Sequence, residues 1–307
     1  MSENELVAWL RRRIRAAGSV QVGPGDDAAV LAPSPGSRIV VTVDAFLEGS
    51  HFPSGSQPAR IGHKVIAASV SDIAAMGCYP SHCLVTLGLN EACRQEFVRE
   101  LGEAMIAAAE KYGAPVAGGD VTSGPSPLVV SVTVLGETRD LSPVLRSGAR
   151  AGDRIFVTGS LGGSLLGRHF EAEPRIEEGL FLNRDMGVTA MIDVSDGLST
   201  DLNHIAGESG VGAIISETAI PVSDDARELE QQDGVAAIRH ALEDGEDFEL
   251  LFTVPAERTA LLRESWSFDV PVTEIGEMGG DQVLIERADG SRQTLEPRGY
   301  EHTWSGQ

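Results

Sequence analysis

The sequence predicts a two-domain α/β protein. The chain has 307 residues, about twice the length of an average domain. Hydrophobic residues make up 42% of the chain and charged residues 23%, a balance typical of a packed globular core. Strand-like and helix-like runs alternate on both sides of residues 142–153, which is the predicted domain boundary. We therefore expect an N-terminal domain over residues 1–145 and a C-terminal domain over residues 146–307.

The first half contains four strand-like and two helix-like runs. Residues 38–43 are rich in β-branched side chains and predict a strand that ends at Asp44. Apolar residues at helical spacing predict helices over residues 60–76 and 93–113. The other strands are expected over residues 82–89, 114–120 and 127–137.

The second half repeats this alternation of strands and helices. A strand is expected over residues 153–159, where it runs into a glycine-rich loop. Residues 189–210 predict a strand, an acidic turn and a helix in succession. The remaining predicted elements are strands over residues 212–217 and 247–254 and a helix over residues 257–266.

The formal net charge of −22 narrows the classes of partner. Such a chain repels the phosphate backbones of DNA and RNA, so we expect no nucleic-acid partner. It also repels phosphorylated small molecules unless cations intervene. A site for such a molecule in this protein would therefore need bound metal ions.

A cytoplasmic location and no membrane partner are expected. The sequence has no run of about 18 uncharged apolar residues that could span a membrane. Residues 1–18 lack the basic start, apolar centre and cleavage site of a signal peptide. The three cysteines include no C-x2-C pair, the pattern typical of a structural zinc site.

Carboxylates recur at predicted strand ends and in glycine turns. They are Asp26, Asp27, Asp44, Asp72, Asp120, Asp193, Asp196, Glu246 and Asp247. Each of them alone could cap a helix or lie in a solvated turn. Together they favour divalent cations, and a donor set made almost entirely of oxygen favours Mg²⁺ or Mn²⁺ over zinc or copper. The sequence thus predicts a nucleotide site in which the acids hold metal ions and the metal ions hold phosphates.

The familiar phosphate-binding loops are absent from the sequence. There is no P-loop pattern and no H-R-D or D-F-G pattern of a protein kinase. The glycine-rich segment 159–167 is a weak candidate for a dinucleotide loop because its glycine spacing is poor. Gly118 and Gly119 precede Asp120 in a predicted turn, which could cradle phosphate and magnesium or could be a plain β-turn.

The order of the motifs carries a family resemblance. The segments GDDAAV, VDAFLEGSHF, SVSDIAAMG, GGDVTSG, LRSGARAGD, IDVSDGLSTDL, GEDFELLFTVP and YEH follow one another over residues 20–302. In this order and spacing they resemble the thiamine-monophosphate kinases, within the superfamily of aminoimidazole ribonucleotide synthetase and selenophosphate synthetase. The resemblance implies a two-domain aminoimidazole-ribonucleotide-synthetase-like α/β fold. It also implies a homodimer in which the N-terminal domains share a β-barrel, and a C-terminal α/β domain that covers the nucleotide.

The resemblance further implies an activity and its residues. The activity is direct in-line transfer of a phosphoryl group from ATP to thiamine monophosphate, giving thiamine diphosphate and ADP. The implied magnesium ligands are Asp27, Thr42, Val43, Asp44, Asp72, Asp120, Asp193 and Asp196, of which Asp44, Asp72 and Asp120 are also the implied catalytic residues. The implied ATP contacts are Gly119, Asp120, Arg146 and Ser195. The implied thiamine contacts are His51, Glu246 and Tyr300.

Some positions depart from the family pattern. Val43 stands where a threonine usually precedes the aspartate, so only its backbone carbonyl could serve as a ligand. Thr303 stands where phenylalanine is usual, which leaves Tyr300 and Trp304 as alternatives for one substrate contact. His51 and Arg146, taken without the resemblance, could also have purely structural roles.

Two alternative functions remain open at the level of sequence. A ligase of the same superfamily, acting on a purine-precursor ribonucleotide amide, would use the same acids, although the segment EGSHF favours the kinase. A catalytically inactive relative would bind only a nucleotide or a partner protein. The cluster of carboxylates argues against that alternative, because idle like charges repel one another and lower stability.

Overall fold

The computed structural model describes residues 3–14, 19–23 and 28–301. The α-helices of this part are α1 (Glu3–Arg13), α2 (Pro58–Ala75), α3 (Gln95–Lys111), α4 (Ile176–Phe181), α5 (Leu198–Ser209), α6 (Asp224–Asp233), α7 (Ala237–Glu243) and α8 (Thr259–Ser265). Its strands are β1 (Val20–Val22), β2 (Val30–Leu31), β3 (Ile39–Leu47), β4 (Tyr79–Leu89), β5 (Val116–Ser123), β6 (Val129–Glu137), β7 (Arg154–Thr158), β8 (Ala190–Asp193), β9 (Ala213–Ser216), β10 (Leu250–Val254), β11 (Val272–Met278), β12 (Val283–Glu286) and β13 (Arg292–Thr294). Among these helices, none combines the length and the apolar composition of a membrane span.

The chain divides into two compact units. Unit 1 comprises Met1–Ala74, Cys78–Ser142 and Phe170–Ile176. Unit 2 comprises Ala75–Gly77, Pro143–His169 and Glu177–Gln307. Each unit has its own sheet, and each is described by itself below.

Unit 1 is built on a four-stranded sheet in the order β3-β6-β4-β5. The pairs β3–β6 and β6–β4 are antiparallel, and β4–β5 is parallel. Consequently β3 and β5 are the two edge strands, and they run in the same direction. The sheet is open in the single chain and does not form a closed barrel.

Helices pack against only one of the two faces of this sheet. On one face the valines at alternate positions of β6 are fully buried, and Ile73 of α2 packs closely against Gly136. On the opposite face the apolar side chains of β3 and β4 are exposed. They are Ile39, Val41, Val43, Leu47 and Leu84. One face of the sheet is therefore packed against helices, and the other presents apolar side chains.

Unit 2 is built on a seven-stranded sheet in the order β13-β12-β9-β11-β7-β10-β8. Only β9–β12 is parallel among its neighbouring pairs. Apolar clusters cover both faces: one includes Leu198 and Leu202 of α5, and the other includes the stacked rings of Phe156 and Phe252. Because β8 and β10 are antiparallel neighbours, the end of β8 at Asp193 lies beside the start of β10. This pairing brings the segments that follow β8 and precede β10 to the same end of the sheet.

Two of the predicted element boundaries that concern candidate ligands were wrong. The predicted end of a strand at Asp44 is wrong, because β3 pairs with β6 as far as Leu47. The predicted turn at residues 118–120 is also wrong, because parallel pairing with β4 extends β5 to Ser123. Both candidate metal ligands therefore lie inside strands. The elements without a prediction are α4, α6, α7, β1, β2, β11, β12 and β13.

Candidate functional site

Three of the predicted ligands meet where β3 packs against α2. Thr42 and Asp44 are two residues apart on β3, so their side chains project from the same face of the sheet. Asp72 on α2 lies against that face, and its Oδ2 accepts a hydrogen bond of 2.5 Å from the Thr42 hydroxyl. The structure thus brings Thr42, Asp44 and Asp72 together within unit 1.

Asp44 is the least satisfied member of this group. Ser69, a fully buried residue of α2, lies beside this carboxylate, and its hydroxyl donates a hydrogen bond of 3.0 Å to the carbonyl oxygen of Val65. The buried Oδ2 of Asp44 has no hydrogen-bond partner among the described residues. Burial, followed by the neighbouring charge of Asp72, raises the pKa of Asp44 to about 6. A buried carboxylate oxygen without a donor, among other oxygen donors, fits a hard divalent cation such as Mg²⁺.

Two other ligands were predicted in the first 50 residues, Val43 and Asp27. Val43 lies between Thr42 and Asp44, and its side chain is 65% exposed on the uncovered face of the sheet. Any ligand from Val43 would therefore be its backbone carbonyl. Asp27 lies outside the described residues.

Asp120 does not join this group within one chain. It lies exposed on β5, the edge strand opposite β3. Two strands lie between them, and three strand spacings amount to about 14 Å. The preceding Gly119 is packed so tightly that a Cβ atom there would lie 1.9 Å from the carbonyl oxygen of Val85. A side chain at position 119 would therefore clash with β4, which explains why this residue is glycine. Asp120 and Asp44, in contrast, lie on opposite edge strands and are separated within one chain.

His51 is held in the loop that follows β3. Its Nδ1 accepts a hydrogen bond of 3.0 Å from the backbone N–H of Leu47, so a neutral ring carries its proton on Nε2. Its carbonyl oxygen accepts a hydrogen bond from Nζ of Lys64, a fully buried residue of α2. Lys64 was not predicted to act in the site. The sequence offered one indication, a charged residue among the apolar residues of the helix predicted over residues 60–76.

The second group of predicted ligands lies in unit 2, after β8. Asp193 is buried at the end of β8, and Asp196 follows in the turn that begins α5. The backbone N–H of Asp196 donates a hydrogen bond of 3.1 Å to Oδ2 of Asp201. Asp201 was not predicted, although it lies in the same acidic segment. Burial, followed by the charges of Asp193 and Asp196, raises the pKa of Asp201 well above its usual range.

Two predicted ATP contacts and two predicted thiamine contacts lie at this turn. The carbonyl oxygen of Ser195 accepts a hydrogen bond of 2.8 Å from the N–H of Glu246, and that of Asp196 accepts one of 3.0 Å from the N–H of Tyr300. Arg146 is exposed, and its charge acts on Asp201. The structure therefore gathers Arg146, Ser195, Glu246 and Tyr300 around the segment that follows β8.

The glycine-rich segment 159–167 binds carboxylates of this chain. The N–H of Gly162 donates to both carboxylate oxygens of Asp247, at 3.0 and 2.8 Å, and the N–H of Gly163 donates to Asp244 at 3.0 Å. The Ser164 hydroxyl donates to the carbonyl oxygen of Gly245 at 2.7 Å. These contacts engage the N–H groups that a dinucleotide would require. The segment is therefore a clamp on residues 244–247.

Asp247 is the buried centre of this clamp. Burial raises the pKa of Asp247 to about 7, although Arg168, whose guanidinium lies 2.9 Å from it, opposes the shift. The folded protein therefore binds more protons than the unfolded chain between about pH 4 and 7. Raising the pH through this window lowers the free energy of unfolding, and the full contribution is present below about pH 4.

We expect the Asp247→Asn variant to lose part of this pH dependence. Since one pKa unit corresponds to about 1.4 kcal/mol, wild-type protein should lose on the order of 3 kcal/mol more than the variant between pH 4.5 and 7.5. Chemical unfolding at a series of pH values measures the difference. Asp289→Asn is the control, because the pKa of this exposed carboxyl is lowered by hydrogen bonds from Ser291. Equal pH slopes for wild type and Asp247→Asn would contradict the assignment.

Comparison with known proteins places this geometry in a family. Residues 25–138 match the N-terminal domain and residues 150–288 match the C-terminal domain of the AIR synthase related proteins. The chain is 42% identical over 309 residues to a thiamine-monophosphate kinase of Rhodopirellula baltica, covering 98% of this chain and 97% of the relative.

Solved structures agree with this assignment. The thiamine-monophosphate kinase of Stenotrophomonas maltophilia K279a superposes with a TM-score of 0.81 at 35% identity, covering 94% of this chain and 97% of that chain. AaThiL complexed with AMPPCP and TMP gives a TM-score of 0.77 at 32% identity, covering 89% of each chain. The expected two-domain, aminoimidazole-ribonucleotide-synthetase-like α/β fold is confirmed. This chain belongs to the thiamine-monophosphate kinase family.

Proposed function

We propose that this protein transfers the γ-phosphoryl group of ATP to thiamine monophosphate, giving thiamine diphosphate and ADP. The observation that carries the proposal is the half-buried pair of Asp44 and Asp72, in which the buried Oδ2 of Asp44 has no hydrogen-bond partner among the described residues, in a chain 42% identical to a thiamine-monophosphate kinase. A related structure at 32% identity is described as complexed with AMPPCP and TMP, an ATP analogue and the acceptor.

The carboxylates would hold several magnesium ions. In unit 1 the ligands would be Thr42, the Val43 carbonyl, Asp44 and Asp72, and in unit 2 they would be Asp193 and Asp196. Asp27 and Asp120 complete the proposed set. Bound magnesium supplies positive charge that offsets the repulsion between the two phosphorylated substrates. The unpaired Oδ2 of Asp44 is already desolvated, so the protein does not have to dehydrate it when a cation binds.

The remaining residues would orient the substrates. Gly119, Asp120, Arg146 and Ser195 would contact ATP, and His51, Glu246 and Tyr300 would contact thiamine monophosphate. The acceptor is a phosphate monoester whose second pKa is about 6, so it is largely ionised near neutral pH and needs no general base. We therefore expect direct in-line transfer. Labelling of the protein by γ-labelled ATP would contradict it.

We further propose that two copies of the chain form a homodimer and close their four-stranded sheets into a barrel of eight strands. The exposed apolar face of β3 and β4 is the kind of surface that association buries. The edge strands β3 and β5 run in the same direction. A twofold axis parallel to the strands would therefore place β3 of each copy beside β5 of the other. The strand β5 of the second copy, which carries Asp120, would then lie one strand spacing from β3, about 5 Å between backbones, in place of about 14 Å.

The division of labour between the domains follows from these proposals. Residues 1–145 would form the ATP- and magnesium-binding and dimerisation domain, and residues 146–307 would form the C-terminal domain, which would contribute further contacts to magnesium and ATP. A cytoplasmic location stays a prediction from the sequence.

The test is ADP release from ATP and Mg²⁺ with and without thiamine monophosphate, while thiamine diphosphate is followed by chromatography. We expect release that depends on thiamine monophosphate and yields about one thiamine diphosphate per ADP. Release that instead depends on a ribonucleotide amide would favour the ligase alternative. Binding of Mg²⁺ and ATP without any release would favour an inactive relative.

A further inference from the structure

We propose that His169 is a positioning residue that holds the Glu246 carboxylate in place for the cationic thiazolium ring of the acceptor. This inference rests on the function proposed above and adds a residue to it. Neither the motifs nor the predicted site included His169, which lies just after the glycine-rich segment.

The backbone of Glu246 is fixed in an unusual conformation. Its φ is +53°, in the left-handed region that residues other than glycine seldom adopt. The N–H of Glu246 donates to Ser195, and the preceding carbonyl of Gly245 accepts from Ser164. Strained residues held in place by their surroundings are enriched at ligand-binding sites. The loop therefore presents this one side chain at a defined point.

The side chain of Glu246 is fixed by His169. Nδ1 of His169 lies 3.0 Å from Oε2 of Glu246. The histidine side chain is 4% exposed and the glutamate side chain 20%, so the ring is enclosed while the carboxylate reaches the surface. Because a carboxylate oxygen accepts, Nδ1 carries the proton in both the neutral and the charged ring. The hydrogen bond thus fixes the orientation of the Glu246 carboxylate.

His169 is itself anchored by the residue before it. The guanidinium of Arg168 lies 3.1 Å from Asp225 and 2.9 Å from Asp247, and it donates to the carbonyl oxygens of Ser160 and Gly162. A planar guanidinium with partners on several sides leaves the adjoining backbone little freedom. The imidazole is consequently placed by the same clamp that encloses residues 244–247.

The position of Glu246 matters for binding more than for the chemical step. The thiazolium charge is present both in bound thiamine monophosphate and in the transition state, so an aligned carboxylate stabilises the two equally. Losing such uniform binding raises KM and leaves kcat unchanged. Without His169 the glutamate would have to be ordered when the substrate binds, which lowers affinity.

Steady-state kinetics of His169 variants test the inference. We expect His169→Leu to raise KM for thiamine monophosphate about tenfold, with kcat and KM for ATP within about twofold of wild type. His169→Asn keeps an N–H at the position of Nδ1 and should bring KM back to within about threefold of wild type. His169→Gln places its amide at the position of Nε2 and should resemble the leucine variant, which covers the case in which His169→Leu does not fold.

A second histidine of unit 2 provides the matched control. His240 is also buried, and its carboxylate partners in the described part of the chain are Asp244 at 3.0 Å and Asp233 at 3.4 Å rather than Glu246. His240→Leu should lower the melting temperature without raising KM for thiamine monophosphate. In a double variant with Glu246→Gln, His169→Leu should add nothing, because its effect passes through Glu246.

The outcomes separate the inference from the function on which it rests. Wild-type turnover with an unchanged KM in His169→Leu, or equal effects of His169→Leu and His240→Leu, would overturn the role of His169 alone. Additive effects of His169→Leu and Glu246→Gln would overturn it too. Wild-type protein without turnover that depends on thiamine monophosphate would overturn the proposed function and this inference with it.

Discussion

Replacing Asp44 by asparagine is expected to reduce turnover by about a thousandfold or more while the fold stays intact. The substitution keeps the shape of the side chain but removes the negative charge at an oxygen that is already buried and unpartnered. Mg²⁺ binds neutral amide oxygens more weakly than carboxylates. Asp72→Asn is expected to abolish turnover as well, because Asp72 completes the same group through its contact with Thr42.

The same substitution should stabilise the protein in the absence of magnesium. The raised pKa of Asp44 shows that its ionised form is unfavourable in the fold, through burial and through the nearby charge of Asp72. Removing that charge should raise the free energy of unfolding at pH 7 by about 1–3 kcal/mol. Gain of stability together with loss of activity is the pattern of a residue kept for function.

Thermal unfolding with and without Mg²⁺ measures the gain of stability and the loss of magnesium binding, and a turnover assay of the same variants measures the loss of activity. Wild-type protein should melt at a higher temperature when Mg²⁺ is added, because an ion that binds the folded state stabilises it. Asp44→Asn should lose most of that shift. Asp140→Asn, which removes an exposed carboxylate of unit 1, should keep both the shift and the activity. An active Asp44→Asn variant, or one with the full magnesium shift, would show that Asp44 is not a ligand.

The spacing of apolar residues located many of the helices and strands, because it repeats about every 3.6 residues in a helix and every two residues in a strand. The apolar spacing of residues 60–76 predicted α2 to within two residues at either end. Short elements such as β12 and β13 have too few residues for a pattern to stand out. The strand that contains Asp44 was predicted too short, because the end of β3 is determined by pairing with β6, which is distant in sequence.

The candidate site could be predicted only where its residues lie in motifs. Asp44 and Asp72 were chosen from their own segments, and the structure places both at the packing of β3 on α2. Ser69 and Lys64 were missed because a buried polar residue on a helix resembles its apolar neighbours in the pattern. His169 was missed for another reason: its contact with Glu246 spans 77 positions, and no local pattern records it. Nothing in the sequence indicated that the sheet order would put Asp44 and Asp120 on opposite edges.

Mixing two inactive variants is expected to restore activity if Asp120 acts from the second copy of the chain. Asp44→Asn and Asp120→Asn should each be inactive alone. When they are co-expressed with different tags, about half of the dimers contain one of each. Such a dimer has one site with both substitutions and one site with neither. Activity should therefore return to about a quarter of the wild-type value, and purification through both tags should raise it to about half.

A second mixture controls for non-specific recovery. Asp44 and Asp72 meet within one chain, through β3 and α2, so every site in a mixed dimer of Asp44→Asn and Asp72→Asn keeps one defect. This mixture should stay inactive. Recovery in the first mixture alone would mean that each site takes Asp120 from the opposite copy and that the barrel seam joins β3 to β5. Inactivity in both mixtures would mean that Asp120 serves its own chain, at the distance of about 14 Å that three strand spacings impose. In that case Asp120 and Asp44 would have to hold different magnesium ions.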